Sequence, residues 1–165
     1  MIDFFRIHID YFVEQSTILT DFLVDDRIYQ VIEDLLGLEF IWVGSEGNKT
    51  EGPKSEWHPD HRSYLKGEEP DINYVRIKVM IYLEKLTKDT GGIRFIPGSH
   101  RMPFHQELGI QKEKLITRPF GMEGQDVPCF PVDSLPGGVV FFNQYLWHAV
   151  INGRKSRRFV AVKFA

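Results

Sequence analysis

Apolar residues fall in two regimes along this chain. Up to residue 36 they recur in threes and fours; from residue 40 onward they come in short runs separated by Gly, Pro and Asn. Phe4, Phe5, Ile7, Tyr11, Phe12, Ile18, Leu19, Phe22 and Leu23 are spaced irregularly, nearer helical than alternating, which predicts one or two helices over residues 4–23. Ile28, Val31, Ile32, Leu35 and Leu36 keep a clearer helical spacing and predict a further helix. Asp25 or Asp26 can cap its start by accepting from first-turn N–H groups, and Gly37 supplies a left-handed stop.

The second regime reads as strands. Residues 40–43 are an apolar strand candidate, and the polar, Gly-rich residues 44–55 read as a loop. Residues 74–83 are the longest strand candidate. Val75, Ile77 and Val79 alternate there with Arg76 and Lys78 on the other face. Residues 93–96 form a short strand ended by Pro97-Gly98. Residues 103–130 read as a covering segment with a helical piece, and residues 139–142, 145–151 and 157–164 as three closing strands. Helices first, then many short strands with turn signals, predict a mainly β fold with packed helices, an antiparallel sandwich or barrel.

Composition narrows this picture. A chain of 165 residues, 42% hydrophobic, is one domain's worth of sequence. The expected domain spans residues 1–165, with N-terminal helices to about residue 37 and a β core from about residue 38. A net charge of −3 gives no electrostatic footprint for nucleic acid. Cys129 is the single cysteine, so no intrachain disulfide can form. No apolar run is long enough to span a bilayer. Asp3, Arg6 and His8 interrupt the N-terminal apolar residues, unlike a signal peptide. The expectation is a cytoplasmic protein acting on a small molecule, without nucleic-acid or membrane partners and of undetermined oligomeric state.

Candidate chemistry centres on Trp57-His58-Pro59-Asp60. On extended backbone, residues i and i+2 point to one face, so His58 and Asp60 can offer an imidazole and a carboxylate to one ion. Pro59 lacks an N–H, which suits a strand end. His148 lies in an apolar strand that otherwise has no need of a histidine, and makes the best third ligand. Two imidazoles and one carboxylate on one face of a metal, with the other face open, is the ligand set of mononuclear iron oxygenases. Taken singly these signals are bland: an H-x-D arises by chance, and a lone core histidine is usually hydrogen-bonded in place.

Arg157 adds a third element. Asn152-Gly153 is a two-residue hairpin signal. A turn centred there sets residue 148 opposite residue 157, with β-carbons ~5 Å apart. A four-residue loop keeps Arg157 on that face, whereas a three-residue loop substitutes Arg158. A guanidinium there can clamp the far carboxylate of a metal-chelating 2-oxoacid with two parallel hydrogen bonds. The plain alternative is a solvated arginine in the basic run of residues 154–158.

With these pieces the chain resembles the phytanoyl-CoA dioxygenase family of iron(II)- and 2-oxoglutarate-dependent oxygenases. The matching segments are Trp57-His58-Pro59-Asp60; residues 81–84 through Thr90-Gly91-Gly92; Ile96-Pro97-Gly98-Ser99-His100; Pro136-Gly137 before residues 139–142; and His148 with its downstream arginine. The resemblance implies a double-stranded β-helix (jelly-roll, cupin-like) core with helices packed outside. It implies His58, Asp60 and His148 as catalytic iron ligands, Arg157 as the 2-oxoglutarate clamp with Arg158 as runner-up, and O2 as the second cosubstrate. The implied reaction is hydroxylation of an aliphatic C–H of a small molecule, with release of succinate and CO2. Asp60 argues against halogenation, because halogenating relatives lack the carboxylate.

The chain departs from the family in three ways. Members usually have two more residues between distal histidine and arginine. A small hydroxyl residue often stands where Val150 is here. The N-terminus is shorter than in most members, so elements shaping the substrate pocket are expected to be missing. The rival readings are a jelly-roll that binds metal or ligand without oxygen chemistry, and a truncated or inactive family member. Among the remaining residues, Tyr64 is expected to contact substrate and His61 to lie in an exposed loop. His100 is expected to bond nearby backbone, and Trp57 to back His58 while Trp147 faces away. Gly91, Gly92 and Gly98 are read as turn residues needing special φ. Arg76, Lys78 and Arg94 are read as mostly solvent-facing, with one able to meet an acidic substrate.

Overall fold

Alternation of side chains, rather than helical spacing, governs the start of the chain. In the computed structural model, which describes residues 5–52, 54–60, 74–113, 119–122, 124–153 and 156–165, Phe5–Asp10 is a strand, β1. Phe5, Ile7 and Ile9 alternate with Arg6, His8 and Asp10, a period of two that suits a pleated strand. The helices expected over residues 4–23 reduce to a 3-10 turn at Val13–Gln15 and a short α1 at Thr17–Leu23. The helix α2 (Asp26–Leu36) matches its spacing: Asp25 accepts from the Arg27 N–H at 3.0 Å, Ile28 and Ile32 are buried, and Gly37 ends it at φ 87°.

The polar stretch after Val43 is not a loop. β2 runs from Trp42 to Glu51, and β3 from Lys54 to His58. Glu46, Asn48 and Thr50 of β2 are all buried, so this strand's inward face is polar and its alternation carries no hydrophobic signal. The remaining elements are β4 (Ile77–Tyr82), β5 (Ile93–Phe95), α3 (Phe104–Glu113), a 3-10 turn at Pro119–Gly121, β6 (Phe130–Pro131), β7 (Val139–Asn143), β8 (His148–Val150) and β9 (Arg157–Phe164).

The strands make two sheets, ordered β1-β2-β9-β4-β7 and β3-β8-β5-β6, with every pairing antiparallel. Strands β2 to β9 form an eight-stranded double-stranded β-helix, the cupin-like jelly roll, and β1 extends one edge of the larger sheet. Apolar clusters close the sandwich from outside. Ile77, Val79, Ile81 and Val162 of the larger sheet pack on Leu23, Ile28 and Ile32 of α1 and α2. Trp57, Ile96, Trp147 and Ala149 at the smaller sheet pack on Leu108 of α3. Among the described residues, no helix is long and apolar enough to cross a membrane.

The hairpin expected at Asn152-Gly153 is corrected by this topology. Asn152 does adopt a left-handed φ of 62°. Yet both edges of β8 are occupied, by β3 and β5, and both edges of β9 by β2 and β4. The chain therefore crosses between sheets at this turn, and residues 148 and 157 are not a cross-strand pair.

Stability should follow the outer clusters. Ile32→Ala, at a fully buried position on α2, should cost about 2–5 kcal/mol in chemical denaturation. Ile18→Ala, at a position 78% exposed, should change it by less than about 0.5 kcal/mol.

Candidate active site

His58 ends β3 and pairs in register with His148 of β8, with ring centroids 4.5 Å apart. Each ring is fixed by its own backbone. His58 Nδ1–H donates to the Glu56 carbonyl at 2.8 Å, and His148 Nδ1–H donates to the Leu146 carbonyl at 2.9 Å. In a neutral imidazole, that places the ligating lone pair on Nε2. Asp60 follows β3, held by its N–H donating to the Gln144 carbonyl at 3.0 Å. His148 Nε2 is 3.8 Å from Asp60 Oδ1, and one donor atom from each of His58, Asp60 and His148 lies within 4.8 Å of the others. The donor set fits a divalent metal of borderline hardness. Asp60 Oδ2 is buried and accepts no hydrogen bond among the described residues, with the Lys78 ammonium 3.3 Å away as an ion-pair contact.

Lys78 belongs with Arg76 and Arg94 to the group expected mostly to face solvent, with one able to meet an acidic substrate. It is instead 7% exposed, on the cavity face of β4. Its Nζ lies 3.3 Å from both Asp60 oxygens and 2.9 Å from Glu46 Oε1. β4 lies between β9 and β7, and its inner face turns Lys78 into the cavity, where it is buried. Burial pushes the Asp60 carboxyl up, but Lys78 and then the two imidazoles outweigh it and hold it below the ordinary value. Burial likewise opposes charge on Lys78, and Asp60 and Glu46 together hold its ammonium above the usual lysine value. Glu46 shows the same contest: desolvation raises it, while Lys78, Lys163 and Asn48 bring it down to about 2. Arg94 is also buried, donating to the Lys88 carbonyl at 2.9 Å, and Arg76 stacks 5.5 Å from the Tyr74 ring centroid.

Arg157 lines the same cavity of about 290 Å³ as His58, Asp60, His148 and Val150. It arrives there from the opposite sheet, because Arg157, Phe159, Ala161 and Lys163 share the inward face of β9. Its NH1 and NH2 sit 3.4 Å from the Gly91 and Gly52 carbonyls, and its Nε makes no hydrogen bond among the described residues. No described carboxylate pairs with it. Burial without an anionic partner lowers its hold on the proton, so an incoming anion would relieve a real cost. Gly91 makes room for it. Its φ is 111°, and a β-carbon there would lie 2.7 Å from Arg157 Cδ. Gly98 likewise has a positive φ of 77°. Gly92 does not; the reason for glycine there is space, since a β-carbon would lie 2.8 Å from the Val132 carbonyl.

Other expected residues fall elsewhere. Arg158 is exposed on the outer face and ion-paired with Glu84. Tyr64 and His61 lie outside the described residues. The His100 Nδ1 is buried without a hydrogen bond among the described residues, so the expected backbone tie is absent there. His105 has such a tie, from Nδ1 to the Ser99 carbonyl at 3.1 Å. Trp57, for which a plain core position was the equal alternative to backing His58, packs into the cluster with Trp147 and donates to the Gly124 carbonyl at 3.2 Å.

A jelly roll with a histidine-carboxylate cluster between its sheets is the architecture of the cupin-like oxygenases. The chain belongs to the phytanoyl-CoA dioxygenase (PhyH) family, whose pattern matches residues 8–158. No curated protein matches the sequence significantly. Among solved structures, HygX from Streptomyces hygroscopicus, with nickel and 2-oxoglutarate bound, is 17% identical with a TM-score of 0.77, over 97% of this chain and 69% of that one. EctD from S. alaskensis, with 2-oxoglutarate and 5-hydroxyectoine, is 21% identical with a TM-score of 0.69, over 95% and 55%. SnoN, a non-heme alpha-ketoglutarate-dependent epimerase from nogalamycin biosynthesis, is 16% identical with a TM-score of 0.68, over 96% and 60%. The chain spans between 35% and 71% of the lengths of these and similar structures.

Two outcomes follow from the buried charges. Lys78→Met removes the ammonium beside buried Asp60, while Glu46 keeps Lys163 and Arg6, and should cost about 3–5 kcal/mol in chemical denaturation. Glu46 is depressed in the folded state, so its contribution is complete above about pH 4.5 and lost as pH falls toward about 2. An acid titration of stability should therefore lose part of its slope in that window in Glu46→Gln.

Proposed function

We propose that this chain is an iron(II)- and 2-oxoglutarate-dependent dioxygenase that hydroxylates an aliphatic C–H bond of a small molecule, releasing succinate and CO2. The observation that carries the reading is the convergence of His58, Asp60 and His148 in one cavity with a buried arginine that has no described carboxylate. In this reading those three residues hold iron(II), and Arg157 holds the distal carboxylate of 2-oxoglutarate. The bound iron, with 2-oxoglutarate and O2, supplies the oxidative decarboxylation and the oxidation of the substrate.

The chain's own work is positional. The Glu56 and Leu146 carbonyls hold the imidazoles with Nε2 toward the ion. Lys78 keeps the Asp60 carboxylate charged and aimed. Gly91 and Gly52 present their carbonyls to Arg157 at a distance that leaves donors for a carboxylate fork. Met80, Ile93 and Phe159 give the cavity an apolar wall that limits water. A carboxylate ligand fills the position that halogenating relatives leave for halide, which favours hydroxylation. HygX and EctD carry a metal or 2-oxoglutarate in folds of this kind, which supports the same cosubstrates here.

The test is anaerobic addition of Fe(II) and then 2-oxoglutarate. The wild type should develop the weak visible charge-transfer band of the chelate, and His148→Ala should not. Iron bound without a band would favour a metal-binding module, and no iron binding a degenerate family member. Arg157→Ala should raise the 2-oxoglutarate requirement about 30-fold or more, the loss of a buried charge-assisted contact. Arg158→Ala should leave it nearly unchanged, and Asp60→Ala should abolish turnover.

A further inference from the structure

The cavity holds more positive charge than the proposed cosubstrate needs. Among the described residues, four fixed cations line it, Arg6, Lys78, Arg157 and Lys163, against two carboxylates, Glu46 and Asp60. A divalent metal and dianionic 2-oxoglutarate cancel each other, so the described lining of the loaded site keeps a surplus of two positive charges. The surplus is localised. Glu46 is shared by Lys78 at 2.9 Å and Lys163 at 3.4 Å on Oε1, and by Arg6 at 3.6 Å on Oε2, while Arg6 also donates to Asn48 Oδ1 at 3.0 Å and to His8 Nδ1 at 2.8 Å. One carboxylate cannot saturate these donors. Lys163, with three N–H groups, makes no hydrogen bond among the described residues beyond that ion-pair contact.

We propose that the primary substrate is a small molecule bearing a carboxylate or phosphate-type oxyanion, held by Arg6 and Lys163. The inference deepens the oxygenase reading and rests on it for the reacting centre, but its anion site is built from other residues. Arg157 and Lys163 lie on one face of β9, six residues apart, which is ~20 Å along a strand. One small anion cannot use both, so two anions have two places. The substrate end is still close to the metal ligands. Lys78 Nζ is 3.3 Å from Asp60 Oδ1 and 2.9 Å from Glu46 Oε1, so those oxygens are no more than about 6 Å apart. An oxyanion on Arg6 and Lys163 thus sets carbons a few bonds away beside the candidate metal centre. The cavity, about 290 Å³, is at the lower end of the ~300–1,000 Å³ of small-molecule sites, so the molecule is small. A cationic substrate would meet like charges at a cost of several kcal/mol.

The probe is methylphosphonate, measured by calorimetry on protein loaded with Ni(II) and saturating 2-oxoglutarate. Binding should persist with 2-oxoglutarate present, weaken at least tenfold in Arg6→Gln/Lys163→Gln, and hold its affinity in Arg157→Gln. The Arg6 and Lys163 side chains are 37% and 32% exposed, so replacement should leave the fold intact by circular dichroism. Lys163→Gln alone gives the same comparison should the double variant fail to fold. Equal affinity in wild type and variants, displacement by 2-oxoglutarate, or no binding at all would overturn the proposal while leaving the oxygenase reading intact. Methylphosphonate binding that depends on Arg6 and Lys163, in a protein that takes up no 2-oxoglutarate, would instead overturn the oxygenase reading alone.

Discussion

The ion pairs of Lys78 are the constraint on which the interior depends. Two carboxylates and an ammonium sit between facing sheets, where desolvation penalises each of them. None could be buried alone in charged form. With Lys78 at 2.9 Å from Glu46 and 3.3 Å from Asp60, each charge meets an opposite one, and Asp60 stays ionised before any metal is considered. A carboxylate kept charged at a candidate metal centre is already in the state a divalent cation requires.

A polar interior shifts the burden of stability outward. The apolar clusters lie mainly on the far faces of both sheets, against α1 and α2 on one side and α3 on the other. Between the sheets only part of the space is apolar, around Met80, Tyr82, Ile93, Phe95 and Phe142. The fold thus separates the surfaces that hold it together from those that face the cavity. Such a division lets cavity side chains be charged without removing the main cores.

That division also explains what could be read from the sequence. His58 and Asp60 were legible because i and i+2 on extended backbone share a face, a rule that needs no tertiary information. The helix α2 was legible because its buried stripe is apolar. β2 was not, because Glu46, Asn48 and Thr50 are its inward residues, and patterns equating inside with apolar misassign them; in β1 the alternation of Phe5, Ile7 and Ile9 with Arg6, His8 and Asp10 is there to read, but a helical reading of residues 4–23 runs over it. Lys78 on β4 is the same case as β2, a charged residue on an inward face. Arg157 does enter the cavity, but the hairpin that would have put it there does not form. Its inward direction comes from strand parity across two facing sheets, which a local turn signal cannot encode.

β9 draws these threads together. Its inward residues run Arg157, Phe159, Ala161, Lys163: charge at both ends and apolar surface between. Phe159 packs near Tyr82 and Ala161 is fully buried, so the middle of the strand offers no hydrogen-bonding side chain to an anion. Two anions attracted to this strand would therefore settle at opposite ends, with the candidate metal ligands facing them from the smaller sheet. A pleated strand holds its residues at a fixed rise, so the spacing of its two cations is set by the backbone rather than by flexible loops. The strand thus keeps two anions apart at a separation its backbone fixes.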